Sequence, residues 1–341
     1  MLNLAFLYNV RHVYPDPDDP QAQLETDFDD PETIEHMLRY LKELGINVIP
    51  IEMDDRAYLE LYEKRNQIDL VFNYSEGLRG RDRECHLPAM LEMLGLPYTG
   101  PSPLTQALVL NKARTKEILA YHGIPVLPHQ VFRTGREKLV DELKFPLIVK
   151  PIAQGSSAGI TNASVVHNQL ELENQVNYVI SNFKQEALVE PFLTGREFSV
   201  PMLGNPPRIL PFIESDHSVL PGGLNHLDSL EVKWIFEEEG DKAENLKCPA
   251  NVPKELEEKI NKICLEAWRV LELADFCRVD IRCDAQGQPY FLEVNSPSGL
   301  IPPEISRSYF PTSAKVAGLE YGDLLREIIN AAITRHSLEK I

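Results

Sequence analysis

The stretch from Phe276 to Gly299, FCRVDIRCDAQGQPYFLEVNSPSG, carries the residues best suited to chemistry. Two apolar-rich runs flank DAQGQ, a turn-forming cluster with one glycine. With Gln286 and Gly287 in a tight turn, Asp280 faces Glu293 and Arg278 faces Asn295. Residues two apart share a face of a strand, so all four polar groups point one way. Val279, Ile281, Leu292 and Val294 then point the other way, into a core. A slip of one residue would bury the charges and expose the aliphatics, so the pattern fixes the register. Three oxygen-bearing side chains beside one guanidinium suit magnesium or manganese, above all when phosphate oxygens and water complete the shell. The plain alternative is an exposed sheet face with a salt bridge. Against it, Asn295 runs directly into the SPSG loop, where backbone can approach a ligand.

A second stretch, FPLIVKPIAQGSSAGI, reads as a buried strand that delivers Lys150 at its end. Gly155, Ser156, Ser157, Ala158 and Gly159 follow as a loop of small residues. Such a loop lets backbone N–H groups approach an anion, and its serines add donors. Lys150 adds a point charge suited to phosphate oxygens. The spacing is not that of a P-loop, which ends in GKS or GKT. A plain turn remains the alternative for the loop alone. Further on, in ALVEPFLTGRE, Glu190 and Glu197 straddle a glycine turn. Both read equally well as surface carboxylates. In a nucleotide-binding hinge, backbone groups near Pro191, Phe192 and Leu193 would meet the adenine. The carboxylates would then take its amino group and the ribose hydroxyls.

The elements that must hold these groups fall into three textures. From Met1 to about Pro101, apolar strands (LNLAFLY, NVIPIE, LVFNY) alternate with helical periods over Thr33–Leu44 and Pro88–Leu94, each stopped by a glycine. That alternation predicts an α/β fold with a parallel sheet. The intervening VYPDPDDPQAQLETDFDDP has no period and reads either as a solvated acidic loop or as a substrate lid. From about Ser102 to Glu190 come a helix over Asn111–Tyr121, the Lys150 strand, a helix near Asn168–Ile180 and the strand ALVEPF. The remainder holds an amphipathic helix over Pro253–Leu273, the hairpin, a loop and a final helix.

With 341 residues the chain is long enough for two or three domains. Its net charge of −18 excludes non-specific binding to nucleic acid or anionic membrane, which needs a basic surface. No apolar run reaches the roughly 20 residues that span a bilayer. The opening MLNLAFLYNV reads as a first strand rather than a signal peptide. Five scattered cysteines without a CxxC pair predict reduced, packing thiols and a cytoplasmic protein.

IVKPIAQGSSAGI, LVEPFLTGREFSV and CRVDIRCDAQGQPYFLEVNSPSG, in this order and spacing, resemble the D-alanine–D-alanine ligase branch of the ATP-grasp superfamily. MLGLPYTGPSPLTQALVLNKARTKEIL resembles the start of that family's central domain. The resemblance covers most of the chain from about residue 70. It implies three domains, at residues 1–101, 102–190 and 191–341, with ATP between the second and third. It implies that Lys112, Lys150 and Lys233 contact phosphates, and that Glu190 and Glu197 take the adenine and ribose positions. Asp280, Glu293 and Asn295 would be magnesium ligands. Arg278 and the backbone of Gly299 would stabilise a tetrahedral intermediate. The implied reaction is ligation of a carboxylate to an amine through an acyl-phosphate, on amino-acid or peptide-like substrates, with a homodimer as a candidate assembly. A nucleotide-binding regulatory protein without turnover is the alternative, and retention of Asp280, Glu293, Asn295 and Arg278 argues against it.

The substrate half departs from the family. The glycine-rich opening with its glutamate is replaced by YNVRHVYPDPDDPQAQLE. Trp234 stands where a tyrosine follows the loop lysine, and Glu76 where a histidine begins a substrate loop. Ser156 remains from a glutamate–serine–tyrosine triad, without its partners. LIPPEISRSYFP is longer than the expected segment and carries Arg307. These changes predict poor use of D-alanine and better use of a larger or more anionic partner.

Overall fold

The computed structural model describes residues 2–236 and 245–338. The chain opens with β1 (Asn3–Tyr8), α1 (Pro31–Glu43), β2 (Asn47–Glu52), α2 (Ala57–Lys64), β3 (Leu70–Asn73) and α3 (His86–Leu94). β1 pairs in parallel with β2 and β3, in the order β2-β1-β3. Its centre, Leu4 to Leu7, is apolar and fully buried because both faces are covered. Leu4 and Phe6 enter a core with Met37 and Leu41 of α1, while Ala5 and Leu7 pack with Leu61 and Leu91 on the other side. α3 stops at Gly95, whose positive φ of 68° is the left-handed conformation that a helix C-terminus favours.

The next elements are α4 (Pro103–Leu110), α5 (Lys112–Tyr121), β4 (Gln130–Phe132), β5 (Leu147–Pro151), β6 (Val165–Val166), α6 (Gln169–Phe183) and β7 (Ala187–Pro191). Asn111 ends α4 and caps α5 by accepting the Arg114 N–H at 3.1 Å, which sets Lys112 at the first helical position. The four strands form an antiparallel sheet ordered β4-β7-β5-β6. Then come β8 (Glu197–Leu203), β9 (Arg208–Ile209), β10 (Ile213–Ser215), β11 (Leu246–Lys247), α7 (Lys254–Val270), β12 (Phe276–Cys283) and β13 (Pro289–Asn295). They build a second antiparallel sheet, β11-β10-β8-β12-β13, with β9 on the edge of β8. The chain closes with α8 (Tyr309–Val316) and α9 (Tyr321–Arg335). α9 returns to the first sheet, where Leu324, Ile328 and Ile329 share the core of Leu4, Phe6 and Phe72.

β12 shows how sequence pattern builds the site. Val279 and Ile281 are fully buried against Ile260, Ile263 and Ala267 of α7. Arg278 and Asp280 therefore face the opposite way. Arg278 pairs with Asn295 and Asp280 with Glu293, as the sequence pattern requires. Beyond that point the expected register fails. A bulge shifts the ladder, so Ile281 meets Phe291 and Cys283 meets Pro289. The turn widens to Asp284–Gln288, held by the Asp284 carboxylate accepting the N–H groups of Gln286 and Gln288 at 2.9 Å. Leu292 is the extra residue. It lines the cleft, and Phe291 takes the core position expected of it.

The Pro/Asp-rich segment between β1 and α1 is exposed over much of residues 12–21 and packs inward beyond that. It makes a short turn at Ala22–Glu25 and buries Gln23 and Thr26.

Candidate active site

Two joined chambers lie over the polar faces of β12 and β13. The first sits between the two antiparallel sheets. Lys150, Gly155, Ser157, Glu190, Glu197 and Asp280 line it, together with the Pro191–Leu193 hinge. Leu127, Ile148 and Leu292 give it an apolar wall. The second, of about 330 Å³, lies towards the first sheet and includes Lys112, Ser156, Asn295 and Gly299. Lys233, Arg278 and Glu293 line both chambers. Every site residue singled out in the sequence thus borders one chamber or the other.

At the junction, Arg278 donates through Nε and Nη2 to the two oxygens of Asp280, each at 2.9 Å. The same oxygens accept from Ser199 Oγ at 2.7 Å and Asn295 Nδ2 at 2.8 Å. Glu293 lies 3.2 Å from Lys112 Nζ. Burial works against the Glu293 charge, but Lys112, Lys150 and Lys233 together hold its pKa at about 2. The carboxylate is therefore ionised throughout the physiological range.

Glu190 is almost wholly enclosed on β7. One oxygen lies 2.5 Å from Lys150 Nζ, and the other pairs with Lys116 Nζ. Burial opposes its charge, yet the two ammonium groups bring it down to about 2. Lys116 is fully buried, and burial, aided by Lys150, pulls it to about 8 against the pull of Glu190. Sequence reading passed over Lys116. Its signal was the spacing KARTK, which puts it four residues after Lys112 on one helix face. Glu197 accepts from Arg282 Nη1 at 2.8 Å, another partner not anticipated.

The small-residue loop turns tightly. Ser156 and Ser157 both hold positive φ, at 42° and 63°, a costly conformation for residues with a Cβ. The segment between β1 and α1 braces this loop. Gln23 Oε1 accepts the Gly159 N–H at 2.9 Å. A Cβ on Gly155 would come within 2.4 Å of Asp27 Oδ1, and Asp27 is held by Arg83 at 2.8 Å.

The second chamber carries charges of both signs. Asp27, Asp29, Glu76 and Glu84 lie near one another on its wall, Arg11 stands among them 3.4 Å from Asp30, and Arg278 and Arg307 line it as well. The Arg11 guanidinium lies 4.4 Å from the Trp234 ring centroid, so one face of that indole is already covered. Burial raises Asp29 and Glu84 to about 7, against the nearby charges of Arg11 and Arg83 respectively. The folded chain thus holds protons that the unfolded chain releases near pH 4. Their stabilising effect is complete below about pH 4 and is lost as pH rises through about 7. Carboxylates held near 2, such as Glu190 and Glu293, contribute a constant amount above about pH 5. The melting temperature will therefore fall by several degrees between about pH 5 and pH 8, and Asp29→Asn will flatten the slope. Thermal scans against pH check this.

A cleft between two antiparallel sheets, with lysines, a small-residue loop and paired carboxylates beside a parallel α/β unit, is the arrangement of an ATP-grasp enzyme. A family model described as the D-ala D-ala ligase C-terminus matches residues 118–330. A D-alanine–D-alanine ligase of Desulforudis audaxviator is 31% identical over 309 residues, 86% of this chain and 90% of that one. An uncharacterised protein of Sinorhizobium fredii, y4sG, is 35% identical over 78% of this chain and 75% of its own length. The crystal structure of D-alanine–D-alanine ligase from Bacillus anthracis complexed with ATP superposes with a TM-score of 0.73 over 99% of both chains, at 23% identity. The chain belongs to the D-alanine–D-alanine ligase family, and so to the ATP-dependent ligases that form carbon–nitrogen bonds.

Proposed function

We propose that this protein ligates a carboxylate to an amine through an acyl-phosphate, and that its substrates are larger than D-alanine. The observation that carries the reading is that Lys233, Arg278 and Glu293 border both chambers. A phosphate in the first chamber and a carboxylate in the second would meet there. The carboxylate attacks the γ-phosphate of ATP and ADP leaves. An amine then attacks the acyl carbon, and the C–O bond to phosphate breaks. Most of the protein's contribution is positioning and charge neutralisation. Lys112, Lys150 and Lys233 would steady the phosphates, and Arg278 with the Gly299 N–H would face the oxyanion. Ser156 and Ser157 would close the small-residue loop over the site and exclude water. The adenine would lie against Leu127, Ile148 and Leu292, with its edge at Pro191–Leu193. Glu190 would act there through Lys116 and Lys150, and Glu197 would take the ribose.

Among the described residues, no group of three His, Cys, Asp or Glu is arranged to hold a metal. Asp280, Glu293 and Asn295 nevertheless offer three hard oxygens on one sheet face. That incomplete set fits magnesium, which keeps water and phosphate in its shell. Bound there, it would spread the charge that develops on the phosphates.

Substrate size follows from the second chamber. About 330 Å³ lies within the range of sites that enclose drug-sized ligands, ample for more than an alanine. The acidic part suits an ammonium, and Arg307 suits a carboxylate. In an ADP-release screen of amino acids and dipeptides, D-alanine alone will be poor and larger or more anionic partners better. Arg307→Ala and Trp234→Tyr will change the ranking. Robust D-alanyl-D-alanine synthesis at millimolar D-alanine would refute the substrate reading.

A further inference from the structure

A polar string borders the cleft, with His217 and Ser215 buried and Asp228 and Tyr309 half-buried, assembled from the end of β10 with its following connection and from the start of α8. His217 Nε2 lies 2.7 Å from Asp228 Oδ1. Asp228 Oδ2 accepts from Tyr309 Oη at 3.0 Å and from Ser215 Oγ at 3.3 Å. Both carboxylate oxygens are thus committed, which gives the phenol one favoured direction. The Tyr309 ring in turn carries the Arg278 guanidinium, 4.8 Å from its centroid. Tyr309 also borders both chambers, as Arg278 does. The Asp228 carbonyl takes a further bond, from Ser157 Oγ of the small-residue loop at 2.6 Å.

We propose that Tyr309 and Asp228 are positioning residues for Arg278, and that Asp228 links the placement of that guanidinium to the seating of the loop over the nucleotide. The inference rests on the ligase reading above. Its physical basis is the cost of holding a long, flexible side chain in one place. Arg278 has two supports, the Asp280 carboxylate along one edge and the Tyr309 ring against one face. Asp280 would also serve other ligands during turnover, so the ring against the guanidinium face is a second, separate support. An aromatic face beneath a guanidinium fixes its plane, which a point contact does not. Asp228 fixes the ring, and His217 fixes Asp228 from a position only 6% exposed. Ser157 then makes a shift of the loop felt at the same residue.

The test compares Tyr309→Phe, Tyr309→Leu and Asp228→Asn. For each, turnover is measured by ADP release, nucleotide affinity by calorimetry and stability by melting. Tyr309→Leu removes ring and hydroxyl, and its kcat will fall by about 30-fold, while nucleotide affinity changes by less than about 3-fold. Tyr309→Phe keeps the ring and will recover most of that loss. Asp228→Asn keeps the size but loses one acceptor, and its kcat will fall by about 10-fold. Combined with Arg278→Lys, which cannot stack in the same way, Tyr309→Leu will cost little more in either kcat or melting temperature. The inference fails if Tyr309→Leu turns over at the wild-type rate. It also fails if the effects of Tyr309→Leu and Arg278→Lys simply add, or if Tyr309→Leu lowers kcat and nucleotide affinity together. Wild-type protein that releases no ADP with any partner would instead refute the ligase reading. The melting cycle then decides the contact by itself, with additive shifts rejecting it.

Discussion

Glu293→Gln and Asp280→Asn will each lower ADP formation by a thousandfold or so while leaving the protein folded. Both carboxylates face the cleft rather than the aliphatic core on the other side of β12 and β13. The amide variants keep volume and remove charge where phosphate charge must be balanced; at Asp280 the amide keeps the bonds accepted by one oxygen and loses those accepted by the other. Alanine is the harsher choice at Asp280. It would leave the largely enclosed Arg278 with no acceptor from that side chain, a loss that costs roughly 3–5 kcal/mol when one member of a buried pair is removed. At Glu293 the lost partner is Lys112, which also donates to the Gln154 carbonyl at 2.5 Å and so remains satisfied. Melting temperature and ADP release on the same preparations separate the two effects. Near wild-type turnover with magnesium in either amide variant would show that the hairpin does not carry the reaction.

Lys150→Met will weaken ATP by about 100-fold and adenosine by less than about 3-fold, because its proposed partner is phosphate. Glu190 would remain ionised in the variant, since Lys116 still holds its other oxygen. Lys116→Met gives the contrast. That side chain is fully buried, so its loss will appear chiefly as lower stability, with ATP and adenosine affected alike. Titrating both ligands into both variants checks the division. Equal weakening of ATP and adenosine by Lys150→Met would remove Lys150 from the phosphate site.

The hairpin was legible because its aliphatic and polar residues alternate strictly around Arg278, Asp280, Glu293 and Asn295. A period of two leaves only one register that buries the aliphatics. Leu292 escaped because a bulge depends on how the turn and second strand fit their neighbours, which alternation does not encode. Lys150 was legible as the end of an apolar run before small residues. Lys116 sits in an ordinary helix, and its role comes from meeting Glu190, 74 residues away. Gln23 and Asp27 lie in a segment with no period, and they acquire meaning only against Gly159 and Gly155. His217, Asp228 and Tyr309 share no motif, because the long β10–β11 connection must meet the start of α8 to bring them together. The loops around the second chamber are among the least regular parts of the chain, so the lining of the first chamber was more readable from pattern than that of the second.

Isotope transfer from the carboxylate substrate tests the acyl-phosphate most directly. The γ-phosphoryl group is proposed to bond to a carboxylate oxygen, and amine attack then breaks the bond between that oxygen and carbon. With both carboxylate oxygens replaced by oxygen-18, the inorganic phosphate released alongside ADP will carry one labelled oxygen. Phosphate without label, or label in AMP, would contradict the account.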